Sequence, residues 1–183
     1  MIRTFDFIFS LFGLLFLCPI VIALYIVGIF YDGSPIFVQE RMGRYKKPFK
    51  LLKFRTMPAN TESVATHLSD NVKISKFGSF LRKSKLDELP QLINVLIGDM
   101  SLVGPRPNLY NQTEVIEERD KRGVYNAVPG ITGLAQINEI DMSTPVKLAE
   151  KDAEMIANLT VSDYFRYIFA TVGGKGQGDR IQK

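Results

Sequence analysis

Along the chain the hydrophobic positions form one long uninterrupted run, and beyond it they recur at short, mixed spacings. From Phe7 to Tyr31, 25 residues pass without a charge, and only Ser10, Gly13, Pro19 and Gly28 break the apolar side chains. As a helix this run would be about 37 Å long at about 1.5 Å per residue, enough to cross a hydrocarbon core of about 30 Å. Pro19 stands at its midpoint, where the ring removes an N–H donor and crowds the preceding turn. Two paths are therefore open. A kinked helix that spans is the simpler reading of these residues; the other is a helix that bends at Cys18 and Pro19 and returns to the face it entered. The length of the run, with no small-x-small site closing it, argues against a cleaved signal peptide.

Beyond Tyr31 the pattern predicts short strands, loops and helices. Asp32 to Pro35 reads as a turn, and Ile36–Gln39 and Phe49–Phe54 as extended segments around a basic, Gly-containing turn. Asn60 to Asn71 is polar and reads as a mobile loop holding His67. Phe77, Phe80 and Leu81 predict a helix ending near Arg82 or Lys83. A second helix runs from about Asp87 to Leu96, with Leu89, Leu92, Val95 and Leu96 on its buried side and Gly98 as its stop. A loop rich in Pro and Gly follows, then a charged helix from about Gln112 to Arg122 and a turn-rich stretch from Pro129 to Gly133. Lys147–Asn158 and Ser162–Val172 complete the helices. The last offers Tyr164, Phe165, Tyr167, Ile168 and Phe169 to a core or to a membrane interface. The expected fold class is mixed α/β, mainly helical. Its organisation is a membrane anchor over residues 1–31, a small domain over 32–172 and a flexible Gly-rich tail over 173–183.

Composition narrows the chemistry. One cysteine, Cys18, allows no internal disulfide, and with a single histidine it leaves no Cys/His set for structural zinc. Any metal must rest on oxygen ligands. The formal charge of +4 is not spread evenly. Arg41, Arg44, Lys46, Lys47, Lys50, Lys53 and Arg55 face only Asp32 and Glu40 in the stretch from Asp32 to Thr56, whereas the chain from Met57 is close to balanced. A basic segment directly after an apolar one faces anionic lipid on the cytoplasmic side. No nucleic-acid recognition motif accompanies the charge, so nucleic acid is not the expected partner.

The segment that can carry chemistry is Leu81-Arg82-Lys83-Ser84-Lys85-Leu86-Asp87-Glu88-Leu89-Pro90-Gln91. Pro90 belongs in the first turn of its helix, which puts Asp87 and Glu88 at the helix N-terminus, where backbone N–H groups lack partners and carboxylates are stabilised. A helix cap explains the pair by itself. Their company suggests more: Arg82, Lys83 and Lys85 precede them, and Gly104-Pro105-Arg106-Pro107 follows after one helix. An arginine held between prolines is fixed in direction, as bidentate phosphate recognition requires.

Taken together, these blocks resemble the bacterial sugar transferases, the monotopic phosphoglycosyl transferases in their small membrane-anchored form. The resemblance rests on Cys18-Pro19 (where Ser-Pro is usual), Gly33-Ser34-Pro35-Ile36-Phe37, Gln39-Glu40-Arg41-Met42-Gly43 and Lys53-Phe54-Arg55-Thr56-Met57. It continues through Leu86-Asp87-Glu88-Leu89-Pro90-Gln91-Leu92, the run from Gly98 to Pro107, and Pro129-Gly130-Ile131-Thr132-Gly133-Leu134-Ala135-Gln136. It covers nearly the whole chain.

The resemblance implies transfer of a phosphosugar from a UDP-sugar to a membrane polyprenyl (undecaprenyl) phosphate, giving a polyprenyl diphosphate sugar and UMP. It implies Asp87 as the nucleophile of a covalent intermediate and Glu88 as its acid–base partner. Mg²⁺ is the implied cofactor, with Asp87 or Glu88 among its ligands. Arg82 and Arg106 are the expected phosphate contacts, Lys53 and Arg55 those of the acceptor phosphate, and Gln136 a polar contact near the nucleotide. A re-entrant anchor with its bend at Cys18-Pro19 is implied, on the cytoplasmic face of the bacterial inner membrane, with downstream glycosyltransferases as a further partner class. The chain departs from the family after Ala135-Gln136-Ile137-Asn138, where Glu139-Ile140 stands in place of Gly-Arg, and at Met155, where Tyr is usual; Asp152 matches a family Asp. No particular sugar is assigned, and an inactive homologue serving as a membrane-attached binding or scaffold module is the alternative.

Overall fold

A computed structural model describes residues 1–58 and 74–176. The loop holding His67 and the end of the tail lie outside the described residues. The fold is mixed α/β and mostly helical.

Helix α1 (Ile2–Asp32) carries the apolar run. Helical conformation continues through Cys18 and Pro19, so the two halves expected of the anchor form one helix with a proline inside it. Proline's fixed φ is itself helical; what it lacks is one hydrogen bond, and the chain continues past the gap. The helix is long and apolar enough to cross a membrane. It is also tied to the rest of the protein at both ends. Near its start Arg3 donates to the carbonyls of Val95 (2.6 Å) and Leu96 (3.0 Å). These belong to the last turn of α3 (Gln91–Ile97), where carbonyls lack helical partners and a cation is favoured. One turn on, the buried Asp6 Oδ1 accepts from Ser101 Oγ (3.0 Å), Leu102 N (2.9 Å) and Tyr164 OH (2.8 Å). At the other end Leu24 packs with Phe54 and Leu81, and Tyr31 stacks on Phe77.

The strands are few and short. β1 (Ile36–Met42) and β2 (Pro48–Phe54) form an antiparallel hairpin, Ile36 opposite Phe54 and Met42 opposite Pro48. Both strands are longer than the sequence pattern predicts, because the basic turn between them is tight, with Tyr45 and Lys46 both at positive φ. A second pair is missing from the sequence reading altogether. β3 (Ser101–Val103) and β4 (Gly130–Thr132) run parallel inside the two stretches read as loops. Three residues carry no usable periodicity, and the pairing is non-local. The crossing of the two backbones is so close that a Cβ on Gly130 would lie 2.0 Å from Gly104 N, so both positions demand glycine.

The remaining helices are α2 (Lys76–Ser84), α4 (Thr113–Lys121), α5 (Leu134–Ile137), α6 (Pro145–Asn158) and α7 (Val161–Val172). α7 opens with a capping box between Thr160 and Asp163. Its aromatic residues divide: Tyr164 and Tyr167 are core, beside Val103 and Met155, while Phe169 is exposed. α3 is bound to β2 by the buried Asn94, which accepts from Leu52 N (3.0 Å) and donates to Lys50 O (2.7 Å). That joint sets the distance between Lys53 on β2 and the segment that leads into α3.

Candidate active site

The chain between α2 and α3 differs from the helix N-terminus expected there. Lys85 has φ 57°, a left-handed conformation that closes α2 and turns the chain. Leu86–Glu88 then form a separate 3₁₀ turn, and Pro90 occupies the N-cap of α3. Asp87 and Glu88 therefore precede the helix rather than open it. Pro90 suits the N-cap because it has no N–H to satisfy, and among the described residues no side chain caps α3. Helix capping accordingly does not account for the pair.

Asp87 and Glu88 line a pocket of about 230 Å³ together with Lys53, Arg82, Lys85 and Arg106. Its lining also includes Gln136, Glu139, Ile140, Asp141 and Met142. Three of the cations arrive from different elements, and Lys85 closes the helix that carries Arg82. Lys53 comes from β2 and stands 5.3 Å from the ring centroid of Phe37. Arg82 comes from the last turn of α2 and donates through Nε to Thr56 Oγ1 (2.9 Å). Arg106 comes from the loop after β3 and pairs through Nη1 with Glu88 Oε1 (3.0 Å). Lys85 reaches across to the carbonyls of Thr171 (3.2 Å), in the last turn of α7, and of Lys175 just beyond it.

The charges tune one another. Burial, then the neighbouring Glu88, raises the Asp87 carboxyl to a pKa of about 6, opposed by Lys53, Arg82 and Arg106. Loss of solvent, then Arg41, Arg82 and Arg106, lowers the Lys53 ammonium to about 8, with Asp87 pulling the other way. Burial moves both groups towards neutrality; the surrounding cations add to that shift at Lys53 and oppose it at Asp87. Cations gathered in a half-buried site of this kind can hold phosphate groups.

Of the residues singled out from sequence, Lys53, Arg82, Asp87, Glu88, Arg106 and Gln136 come together in this pocket. Arg55 lies outside its wall, where Nε donates to Ser34 O (2.8 Å) and the guanidinium stands 5.4 Å from the Phe37 centroid. Gln136 Nε2 approaches Gly104 O at 3.5 Å, and its Oε1 is buried with no partner among the described residues. Lys85 was visible only as part of a basic run; its left-handed backbone and its reach to α7 have no sequence signal. Arg41 and Asp152 stand in the sequence at positions where the resemblance holds, but the reach of Arg41 to Pro107 O (3.2 Å) and the buried pairing of Asp152 with Arg119 have no sequence signal.

A divalent cation has limited protein support here. Among the described residues no three Asp, Glu, His or Cys side chains gather as a ligand set. Asp87 and Glu88 remain as two adjacent carboxylates on the pocket wall. They fit Mg²⁺ in its usual enzymic manner, held by one or two carboxylates, substrate phosphates and water.

A profile of the family described as bacterial sugar transferase matches residues 1–175, and the chain belongs to that family. Among curated relatives it is 42% identical over 159 residues to an uncharacterized sugar transferase, EpsL, of Bacillus subtilis, covering 85% of this chain and 77% of that protein. It is 36% identical to the undecaprenyl-phosphate galactose phosphotransferase of Salmonella typhimurium, over 92% of this chain and 39% of the relative. It is 41% identical to the UDP-glucose:undecaprenyl-phosphate glucose-1-phosphate transferase of Escherichia coli, over 85% of this chain and 35% of the relative. The chain thus spans most of EpsL but less than half the length of the latter two.

Proposed function

We propose that the protein is a phosphoglycosyl transferase that moves a sugar phosphate from a UDP-sugar to undecaprenyl phosphate. Asp87 attacks the sugar-linked phosphorus, a P–O bond forms to its carboxylate, and the P–O bond to UMP breaks. An oxygen of the polyprenyl phosphate then attacks the same phosphorus. The bond to Asp87 breaks, releasing polyprenyl diphosphate sugar and the free carboxylate. Lys53, Arg82 and Arg106 hold the phosphates, and Glu88, oriented by Arg106, takes up any proton the acceptor phosphate carries. Bound Mg²⁺, resting on Asp87 or Glu88, supplies charge neutralisation of the diphosphate. The observation that carries this reading is a nucleophile-capable carboxylate sharing one pocket with Lys53, Arg82 and Arg106, two of which stand beside residues, Phe54 and Leu81, that pack against the apolar helix.

The anchor in this reading is re-entrant, bending at Cys18–Pro19 and leaving the domain on the cytoplasmic face of the inner membrane. Support for a path that does not cross comes from the two ends of α1, since Arg3 and Asp6 at one end and Leu24 and Tyr31 at the other bind the same domain; the bend itself is assigned to the proline inside the helix. A full crossing would separate those ends by the thickness of a bilayer.

Purified protein in detergent, given undecaprenyl phosphate, Mg²⁺ and UDP-glucose, UDP-galactose or an N-acetylated UDP-sugar in turn, should release UMP from at least one donor. Asp87→Asn should abolish the release. Equal release by that variant defeats the covalent mechanism, and no release from any donor by the native chain leaves a membrane-attached binding module.

A further inference from the structure

Four consecutive carbonyls of the loop that carries Arg106 are each held by a different donor. Pro105 O accepts from Gly130 N (2.9 Å), and Arg106 O from Arg119 Nη1 (2.8 Å). Pro107 O accepts from Arg41 Nη1 (3.2 Å), and Asn108 O from Met42 N (3.0 Å). Two of the four donors are arginine side chains, and Arg119 is buried at 1% exposure on α4. Its Nε and Nη2 both point at a single oxygen, Asp152 Oδ2 (3.0 and 2.7 Å), on α6. Its Nη1 is turned away from that carboxylate to meet Arg106 O and Asn108 Oδ1 (3.0 Å). Tyr125 OH donates to the same Asn108 oxygen (3.0 Å).

The cost of this arrangement is visible. A fork-to-fork pair would use both oxygens of Asp152, yet Oδ1 is buried with no partner among the described residues. A buried ion pair is weak as a source of stability, because desolvation consumes most of the attraction. The Nε/Nη2 face of the guanidinium is given to Asp152 and its Nη1 to the loop carbonyl, so one buried side chain ties α6 to the backbone at Arg106. We propose that Arg119, seated by Asp152, is a positioning residue for the transfer: it fixes the backbone at Arg106 and thereby the direction in which that guanidinium meets Glu88 and the phosphates. Arg41 steadies the same loop one residue on.

The inference rests on the proposed transfer reaction, so its test needs one readout with turnover and one without. A lysine at position 119 keeps the charge but cannot present a planar fork to Asp152 and Arg106 O together. With whichever donor the native chain uses, Arg119→Lys should lower kcat for UMP release about 10–100-fold while the donor KM changes by less than about 3-fold, because a displaced group about 1 Å out of line costs about 10²-fold. In an Arg106→Ala background the same substitution should cost nothing further. Multiplying losses in the double variant, or an unchanged kcat in folded Arg119→Lys, overturn the proposal. If Arg119→Lys does not fold, Arg41→Gln loosens the same loop from a partly exposed strand and undergoes the same cycle with Arg106→Ala. If the native chain releases no UMP, amide hydrogen exchange takes the place of turnover. Gly130 N and Met42 N, the partners of Pro105 O and Asn108 O, should exchange at least about tenfold faster in the variant relative to the amides of α7. Uniform change across both regions overturns it.

Discussion

Arg106 Nη1 lies 3.0 Å from Glu88 Oε1, and this contact joins the loop after β3 to the 3₁₀ turn that carries Asp87. The pair brings a guanidinium and a carboxylate to the wall of the pocket that the neighbouring aspartate also lines. Removing either partner releases the other from the direction in which the pair holds it. Glu88→Gln and Arg106→Ala should each lower the rate of UMP release by about 10²–10³-fold, the range for losing a positioned acid–base or charge-stabilising group. Steady-state kinetics with purified protein measures this, and a loss below tenfold in both would remove the pair from the mechanism.

The two shifted groups set a pH window. Asp87 must be ionised to attack, and its pKa is pushed up to about 6, while Lys53, lowered to about 8, must be protonated to hold phosphate. Activity should fall below about pH 6 and above about pH 8. Lys53→Arg, whose guanidinium stays charged, should remove the alkaline limb and keep the acid one. A rate profile from pH 5 to 9.5 reads both.

The Asp87 shift also bears on stability. A carboxyl whose folded pKa lies above its unfolded value favours folding most when protonated, below the unfolded pKa; that advantage is lost as pH rises through about 6. Asn carries no such dependence. Asp87→Asn should therefore melt higher than the native chain at pH 8, by on the order of 2 kcal/mol, with the difference shrinking towards pH 4. Thermal melts in EDTA, which keeps metal off the carboxylates, test the sign.

Asp6 is a joint between the apolar helix and the domain. Its Oδ1 accepts three hydrogen bonds, from Ser101, Leu102 and Tyr164. Asp6→Ala leaves three donors without their acceptor and should cost about 2–4 kcal/mol, whereas Tyr164→Phe, which deletes one donor, should cost about 1 kcal/mol. Melting in detergent micelles ranks the two, and equal effects would mean that the carboxylate is not the centre of the joint.

The path of α1 is open to a direct probe. Thr4 is exposed near the joint at the helix start, and Cys18 is the sole native thiol and also exposed. In a Cys18→Ser chain, Thr4→Cys should resist a membrane-impermeant maleimide added to intact cells and react after lysis. Labelling from outside would mean that the helix crosses.

Much of this protein can be read along the chain. The 25 uncharged residues from Phe7 to Tyr31 specify an apolar helix whatever surrounds it, because nearly every side chain among them is apolar on its own account. The periodicities near Gln112 to Arg122 and from Lys147 to Asn158 predict α4 and α6 to within two residues at either end. The blocks around Asp87 and Arg106 mark the pocket in advance, since reacting groups retain their chemical identity in one dimension. Only the tertiary structure decided how those groups are held. Asp87 and Glu88 sit in a 3₁₀ turn because Lys85 adopts a left-handed backbone, stabilised by a reach to the end of α7, 86 and 90 residues further on. β3 and β4 exist because two short segments meet where glycine lets their backbones nearly touch. Arg119, one basic residue in a charged helix, becomes the support of Arg106 when α6 brings Asp152 to it. Side-chain type is local, but direction, partner and burial depend on contacts between distant residues, which no window of sequence contains.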